Sequence, residues 1–130
     1  MVERTTSEMT SFKGFVIAVN KRDGRFGPEY DINMKPEGIE IKGPTGCFHE
    51  FLRIPDKATE TSVPDGSVLD VFLKELESIM PEVKNMATVD EALGVMNGKR
   101  FEFRKKQLGK AFEGHQAASH WVPVNLLADE

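Results

Sequence analysis

The most conspicuous chemistry in the chain lies in residues 98–114, which read GKRFEFRKKQLGKAFEG. Six basic side chains in this stretch stand against two acidic ones, and three phenylalanines are interleaved with them. Lysine and arginine neutralise phosphates, and aromatic rings stack on unpaired bases. The stretch therefore suits a surface that meets single-stranded nucleic acid, although a solvated strand face would have the same composition.

The remainder of the chain is acidic. The 130 residues carry 17 basic and 21 acidic side chains, a net charge of −4. Residues 1–66, 67–98 and 99–130 have net charges of −2, −4 and +2, so the acidic excess lies in the middle. A local basic patch can still bind an anion against the net charge.

The composition predicts one soluble globular domain. No apolar run approaches the roughly 18–20 residues of a membrane span, and the N-terminal residues lack the apolar core of a secretory signal. The single cysteine, Cys47, excludes an internal disulfide. These features favour a cytoplasmic protein.

Alternating apolar residues predict strands in the first half of the chain. The segment FKGFVIAVNKR (12–22) is a strand partly buried on both faces, and Asp23-Gly24 predicts a turn. EYDINMK (29–35) alternates strictly. A third strand begins at GIEIKG (38–43), is interrupted by GPTG, and continues as CFHEFLRIP (47–55).

The period changes after residue 66. SVLDVFLKELESIM (67–80) has one apolar stripe at helical spacing, with Ser67 and Asp70 placed as a capping box. Thr88 caps a second, short helix that ends near Asn97-Gly98. Two strands follow, KRFEFRK (99–105) and HWVPVNLL (120–127), where Pro123 indicates an edge position or a bulge.

This order of elements predicts a mainly β, α+β fold: three strands, a helix, then a closing hairpin. It resembles the OB-fold, a five-stranded Greek-key barrel with a helix between strands 3 and 4, over residues 12–127. Residues 1–11 are predicted to be a flexible tail. An SH3-like barrel and an α+β sandwich are the competing folds. The ending FEFRKK…HWVPVNLL is similar to the last hairpin of small single-stranded-DNA-binding OB proteins of phage and archaeal type.

The OB-fold resemblance implies where a ligand would bind: along strands 2 and 3 and in the loops joining strands 1–2 and 4–5. A closed barrel would bring these two loops together on one flank. The side chains expected to hold phosphates or stack on bases are Lys21, Arg22, Arg25, Phe26, Phe51, Arg53, Arg104, Lys106, Lys110, Phe112 and Trp121.

Structural interpretations compete with these assignments. The alternation of Phe101 and Phe103 predicts core positions, whereas His49, Phe51 and Arg53 are expected on the outer face of strand 3. Trp121 is either an exposed ring or a core residue. Glu29 and Asp31, on the outer side of strand 2, would repel a phosphate.

Other functions have little support in the sequence. There is no Cys-x₂₋₄-Cys pair for zinc, no phosphate-binding glycine loop and no recognisable nucleophile, so no metal, cofactor or enzymatic activity is expected. Binding of single-stranded nucleic acid, DNA more than RNA, in replication, recombination or repair is the first hypothesis. The alternative is a protein-interaction module within a larger assembly, with a protein partner or a second copy of itself.

Overall fold

The computed structural model describes residues 9–25, 27–39, 46–108 and 119–128. The described part is mainly β, with five strands and two short α-helices. The strands are β1 (Ser11–Gly24), β2 (Gly27–Pro36), β3 (Phe48–Arg53), β4 (Arg100–Gln107) and β5 (Ser119–Leu127). The predicted α+β class and the placement of the helical segment between β3 and β4 are confirmed.

The five strands form one open antiparallel sheet in the order β3-β2-β1-β4-β5. Strand β1 is central because its N-terminal half pairs with β4 and most of its length pairs with β2. Strands β3 and β5 are the two edges. Pro123 lies in edge strand β5, beside a register shift in the β4–β5 ladder. This is the position predicted for a proline, because its nitrogen has no hydrogen to donate to a neighbouring strand.

The β1–β2 hairpin is longer than the sequence indicates. Pairing continues to Asp23↔Pro28 and Gly24↔Gly27, so Lys21 and Arg22 are strand residues and not loop residues. Gly27 has a φ of 121°, which a residue with a side chain rarely adopts. At Gly14 a Cβ atom would lie 2.4 Å from the carbonyl oxygen of Lys35, so only glycine lets the two strands approach this closely.

The helical segment contains α1 (Val68–Ile79), a 3₁₀ turn at Pro81–Asn85, and α2 (Val89–Gly94). The predicted caps are confirmed: Ser67 Oγ accepts the Asp70 N–H at 3.2 Å, and Thr88 Oγ1 accepts the Glu91 N–H at 3.1 Å. The Asp70 carboxylate also accepts the Gly66 N–H. Partial burial raises the pKa of Asp70, but this hydrogen bond and the Lys74 ammonium outweigh it, so the net pKa is lowered.

The core lies between the inner face of the sheet and the apolar stripe of α1. Leu69, Phe72 and Leu76 of the helix are almost fully buried. An aromatic cluster, defined as Phe12, Phe48, Phe103 and Trp121, joins four strands, with ring centroids 4.8–5.9 Å apart. Burial of Phe101 and Phe103 confirms the expected inward face of β4.

Residues 9 and 10, which precede the predicted domain, contact the sheet. Met9 is buried in the core, and the Thr10 carbonyl accepts the Lys105 N–H at 2.9 Å. These contacts hold residues 9 and 10 against β4, so the domain includes part of the segment predicted to be a tail. Residues 40–45, which include most of the first half of the predicted third strand, lie outside the described residues.

Candidate nucleic-acid interface

A mixed patch of rings and charges lies on the outer face of β1, β2 and β3. The strand register aligns Arg22 with Glu29 and Arg53 in one row, and Asp31 with Phe51 in the next. His49 follows on the same face of β3. Strict alternation explains this placement, because Tyr30, Ile32 and Leu52 point into the core. We call this set the outer patch: Arg22, Glu29, Asp31, His49, Phe51 and Arg53.

Phe51 is the exposed ring of the outer patch. It is 44% exposed, a large fraction for a phenylalanine. The His49 ring lies parallel to it, with centroids 5.7 Å apart and planes 7° apart. The Arg22 guanidinium carbon lies 5.5 Å from the ring centroid. A flat apolar face flanked by cations can stack on a base while the neighbouring charges meet phosphates.

The basic side chains of the outer patch have carboxylates nearby. Arg22 lies 3.6 Å from Glu29, and His49 Nδ1 lies 2.9 Å from Asp31. The Arg53 guanidinium is 4.0 Å from the highly exposed Asp56. The acids that were expected to oppose phosphate binding therefore lie within the patch, and its charge is nearly balanced.

Lys21 does not belong to the outer patch. As the neighbour of Arg22 it points to the opposite face, where its ammonium lies 5.6 Å from the Tyr30 ring centroid and 3.5 Å from Asp90. Tyr30 Oη donates to the same Asp90 oxygen at 2.5 Å. Burial and then the bond to Asp90 raise the pKa of Tyr30 well above its usual value, so the hydroxyl keeps its proton. Lys21 and Tyr30 line a cavity of about 260 Å³ beside the β3–α1 connection.

The basic stretch on β4 serves mainly intramolecular contacts. Arg100 forms a two-pronged ion pair with Glu37, and this hydrogen bonding lowers the pKa of Glu37. Lys106 lies 3.4 Å from Glu75 of α1. Lys105 lies 5.1 Å from the centroid of the Trp121 ring. Two acids of the helical segment, Asp90 and Glu75, pair with Lys21 and Lys106.

Trp121 is a core residue, and its assignment as an exposed stacking ring is wrong. It is only 7% exposed because its ring packs against Phe12 and Phe48. Regular alternation would expose one of two consecutive strand residues, but Trp121 and Val122 are both buried. Arg104 is exposed at β4, with Glu102 at 4.0 Å, and lies outside the outer patch.

The outer patch brings together Arg22, Phe51 and Arg53 from the predicted set. Arg25 is exposed in the turn that joins β1 to β2. Phe26, Lys110 and Phe112 lie outside the described residues.

The β1–β2 turn and the start of the β4–β5 connection lie at opposite ends of β1, and residues 109–118 of that connection lie outside the described residues. The β1–β2 turn is at the C-terminal end of β1, whereas Arg104 of β4 pairs with Ser11 at its N-terminal end. The connection out of β4 therefore starts at the end of β1 opposite to the turn. It returns at Ser119, and the next residue, His120, contacts Glu50 of β3. Strand β3 thus links the start of β5 to the outer patch, through a contact that the sequence analysis missed.

In the described ranges, no group of three or more His, Cys, Asp or Glu side chains could hold a metal ion. No helix in that part of the chain has the length and apolar character needed to cross a membrane. Compared with known proteins, the chain matches no family model and no curated sequence.

Proposed function

We propose that this protein binds single-stranded nucleic acid, DNA in preference to RNA, through the outer patch and with little sequence preference. Such binding suits an accessory role in replication, recombination or repair. The observation that carries the proposal is the exposed Phe51 ring, flanked by the His49 ring and the Arg22 guanidinium.

The order of the strands supports the proposal. A five-stranded OB barrel is partly open, has a helix between strands 3 and 4, and binds oligonucleotides on the face of strands 2 and 3. Here the sheet order β3-β2-β1-β4-β5 leaves β3 and β5 as the edges that such a barrel would close. The outer patch lies mostly on β2 and β3. We therefore propose an OB-type barrel for this chain.

The charge balance of the patch limits the electrostatic part of binding. Glu29 lies between Arg22 and Arg53 in the register and offsets part of their positive charge. These two arginines are nevertheless the patch's main contacts for phosphate. Each phosphate contact on a single strand contributes about −0.7 to the slope of log K against log salt. Two contacts predict a slope of about −1.4. Stacking on Phe51 then supplies a part of the free energy of binding that does not come from phosphate contacts.

The two arginines provide the test of this arrangement. Arg22→Gln and Arg53→Gln should each weaken binding to a labelled oligo-dT and reduce the steepness of the salt dependence by about 0.7, as one lost phosphate contact requires. Fluorescence anisotropy over a salt series measures both quantities. Lys84→Gln is the matched control because it removes one positive charge from the helical segment, where Lys84 pairs with Glu77.

The control should retain the wild-type affinity apart from a small uniform effect of net charge. Equal effects of all three substitutions would mean that charge acts from a distance and not through the outer patch. Wild-type protein that fails to bind oligo-dT at about 50 mM salt, where phosphate contacts are strongest, would overturn the proposed function itself.

The near-balanced charge of the outer patch also favours a second candidate, a protein-interaction module. Aromatic rings and arginines are enriched at protein interfaces, and the outer patch exposes both. Size-exclusion chromatography with light scattering distinguishes the two. Self-association or partner binding that ignores nucleic acid, and that Phe51→Ala abolishes, supports the second candidate.

A further inference from the structure

A buried carboxylate lies at the edge of the sheet, in β3. Glu50 is 5% exposed and occupies an inward position between the buried Phe48 and Leu52. An ionised carboxylate in such a position is costly unless each oxygen receives a hydrogen bond. Its partners therefore identify what the side chain is for.

Both partners of Glu50 come from β5. The Trp121 backbone N–H donates to Oε1 at 2.7 Å, and His120 Nδ1 lies 2.6 Å from Oε2. A carboxylate only accepts, so the imidazole Nδ1–H donates. Each oxygen thus has one donor, and the described residues contain no buried side-chain nitrogen or oxygen without a hydrogen bond.

These contacts join the two edges of the sheet. Strands β3 and β5 are not neighbours in the sheet. The Glu50 side chain therefore connects the two edge strands, as backbone hydrogen bonds would in a closed barrel. The Phe48 and Trp121 rings pack in parallel at the same place, with centroids 5.9 Å apart. A leucine at position 50 would pack without the desolvation cost but would leave the buried Trp121 N–H without an acceptor.

We propose that Glu50 is a positioning residue that fixes the first residues of β5 against β3. The carboxylate holds His120 and Trp121, which directly follow the start of β5, beside the strand that carries the outer patch. Because Glu50 anchors β3 from the inside, its neighbours His49 and Phe51 are held on the outer face. The effect on β5 is independent of the proposed function, whereas any effect on ligand binding rests on it.

The single tryptophan of the chain makes this contact directly observable. Glu50→Ala should shift the Trp121 emission to longer wavelength and raise its quenching by acrylamide towards that of the unfolded chain. Glu50→Gln keeps an oxygen for the Trp121 N–H, and its amide N–H can donate to His120 Nδ1 once the imidazole proton moves to Nε2, so it should restore most of the wild-type signal. Glu82→Gln, which changes the net charge equally at an exposed site, is the control and should leave the signal unchanged.

Wild-type emission and quenching in a folded Glu50→Ala protein would overturn the proposal. If circular dichroism shows that Glu50→Ala does not fold, His120→Gln carries the test because it weakens one contact and leaves the Trp121 N–H bond intact. Raised quenching in that variant supports the positioning role, and unchanged quenching overturns it.

Oligo-dT affinity separates the positioning role from the proposed function. Glu50→Ala should bind more weakly than wild type, Glu50→Gln should recover most of the loss, and Glu82→Gln should match wild type apart from the charge effect that it shares with Glu50→Gln. Wild-type protein without affinity for the oligonucleotide refutes the proposed function. The quenching result still shows whether Glu50 holds β5 against β3. Full affinity in Glu50→Ala despite raised quenching overturns the link between Glu50 and the outer patch.

Discussion

Replacing Phe51 with alanine is expected to weaken binding of a single-stranded oligonucleotide by about 1–3 kcal/mol, roughly fivefold to more than a hundredfold in Kd. The ring is exposed, so its loss removes a stacking surface without creating a cavity in the core. The loss should be nearly the same for oligo-dT and for mixed sequences because every base has a flat face. Anisotropy titrations of Phe51→Ala, Phe51→Trp and wild type measure this loss of affinity.

Leu126→Ala is the matched control for the loss of an exposed apolar side chain. Leu126 is 43% exposed, almost the same fraction as Phe51, but lies on β5 near its C-terminal end. We expect this variant to bind as wild type does and Phe51→Trp to bind at least as tightly. Wild-type affinity in Phe51→Ala would refute stacking at this position.

Replacing Phe12 with alanine is expected to reduce the free energy of unfolding by about 3–5 kcal/mol, the range for a buried phenylalanine. The Phe12 ring contacts Phe48, Phe103 and Trp121 with centroids 5.0, 5.0 and 4.8 Å away. It therefore connects β1 to β3, β4 and β5, and its removal leaves a cavity where four strands meet. Urea unfolding followed by Trp121 fluorescence and by circular dichroism gives the difference.

Phe15→Ala on the same strand is the control for Phe12→Ala. Phe15 is only half-buried, so its loss should cost clearly less. A loss below about 1 kcal/mol for Phe12→Ala, the size of an average substitution, would contradict the assignment of this cluster as the centre of the core.

The secondary structure was largely predictable because local patterns decide it. The strict alternation of β2 and the helical stripe of α1 each match one period, and serine and threonine mark both helix starts. The outward phase of His49, Phe51 and Arg53 on β3 followed from the same alternation. The sequence therefore predicted the central residues of the outer patch.

The remaining errors concern contacts between distant segments. Lys21 lies in a strand because pairing continues to Gly24↔Gly27, past the turn that Asp23-Gly24 predicts. The register shift between Val16 and Ala18 sets the face that Lys21 occupies. Trp121 was misplaced because the irregular β4–β5 ladder breaks simple alternation, so consecutive residues are buried. The ion pairs of Lys106 and Arg100 join residues far apart in the chain, which no local pattern indicates.

Glu50 had one signal in the sequence, its inward phase between Phe48 and Leu52. A charged residue in that phase indicates a buried partner, but the partner lies 70 residues away, at His120. Only the folded sheet brings them together.

The most direct test of the account is a nuclear magnetic resonance titration of the wild-type protein with oligo-dT at about 50 mM salt. We expect the largest amide shift changes on Arg22, His49, Phe51 and Arg53, with little change in the helical segment from Val68 to Gly94. An absence of shift changes, or changes confined to that helical segment, would contradict this expectation.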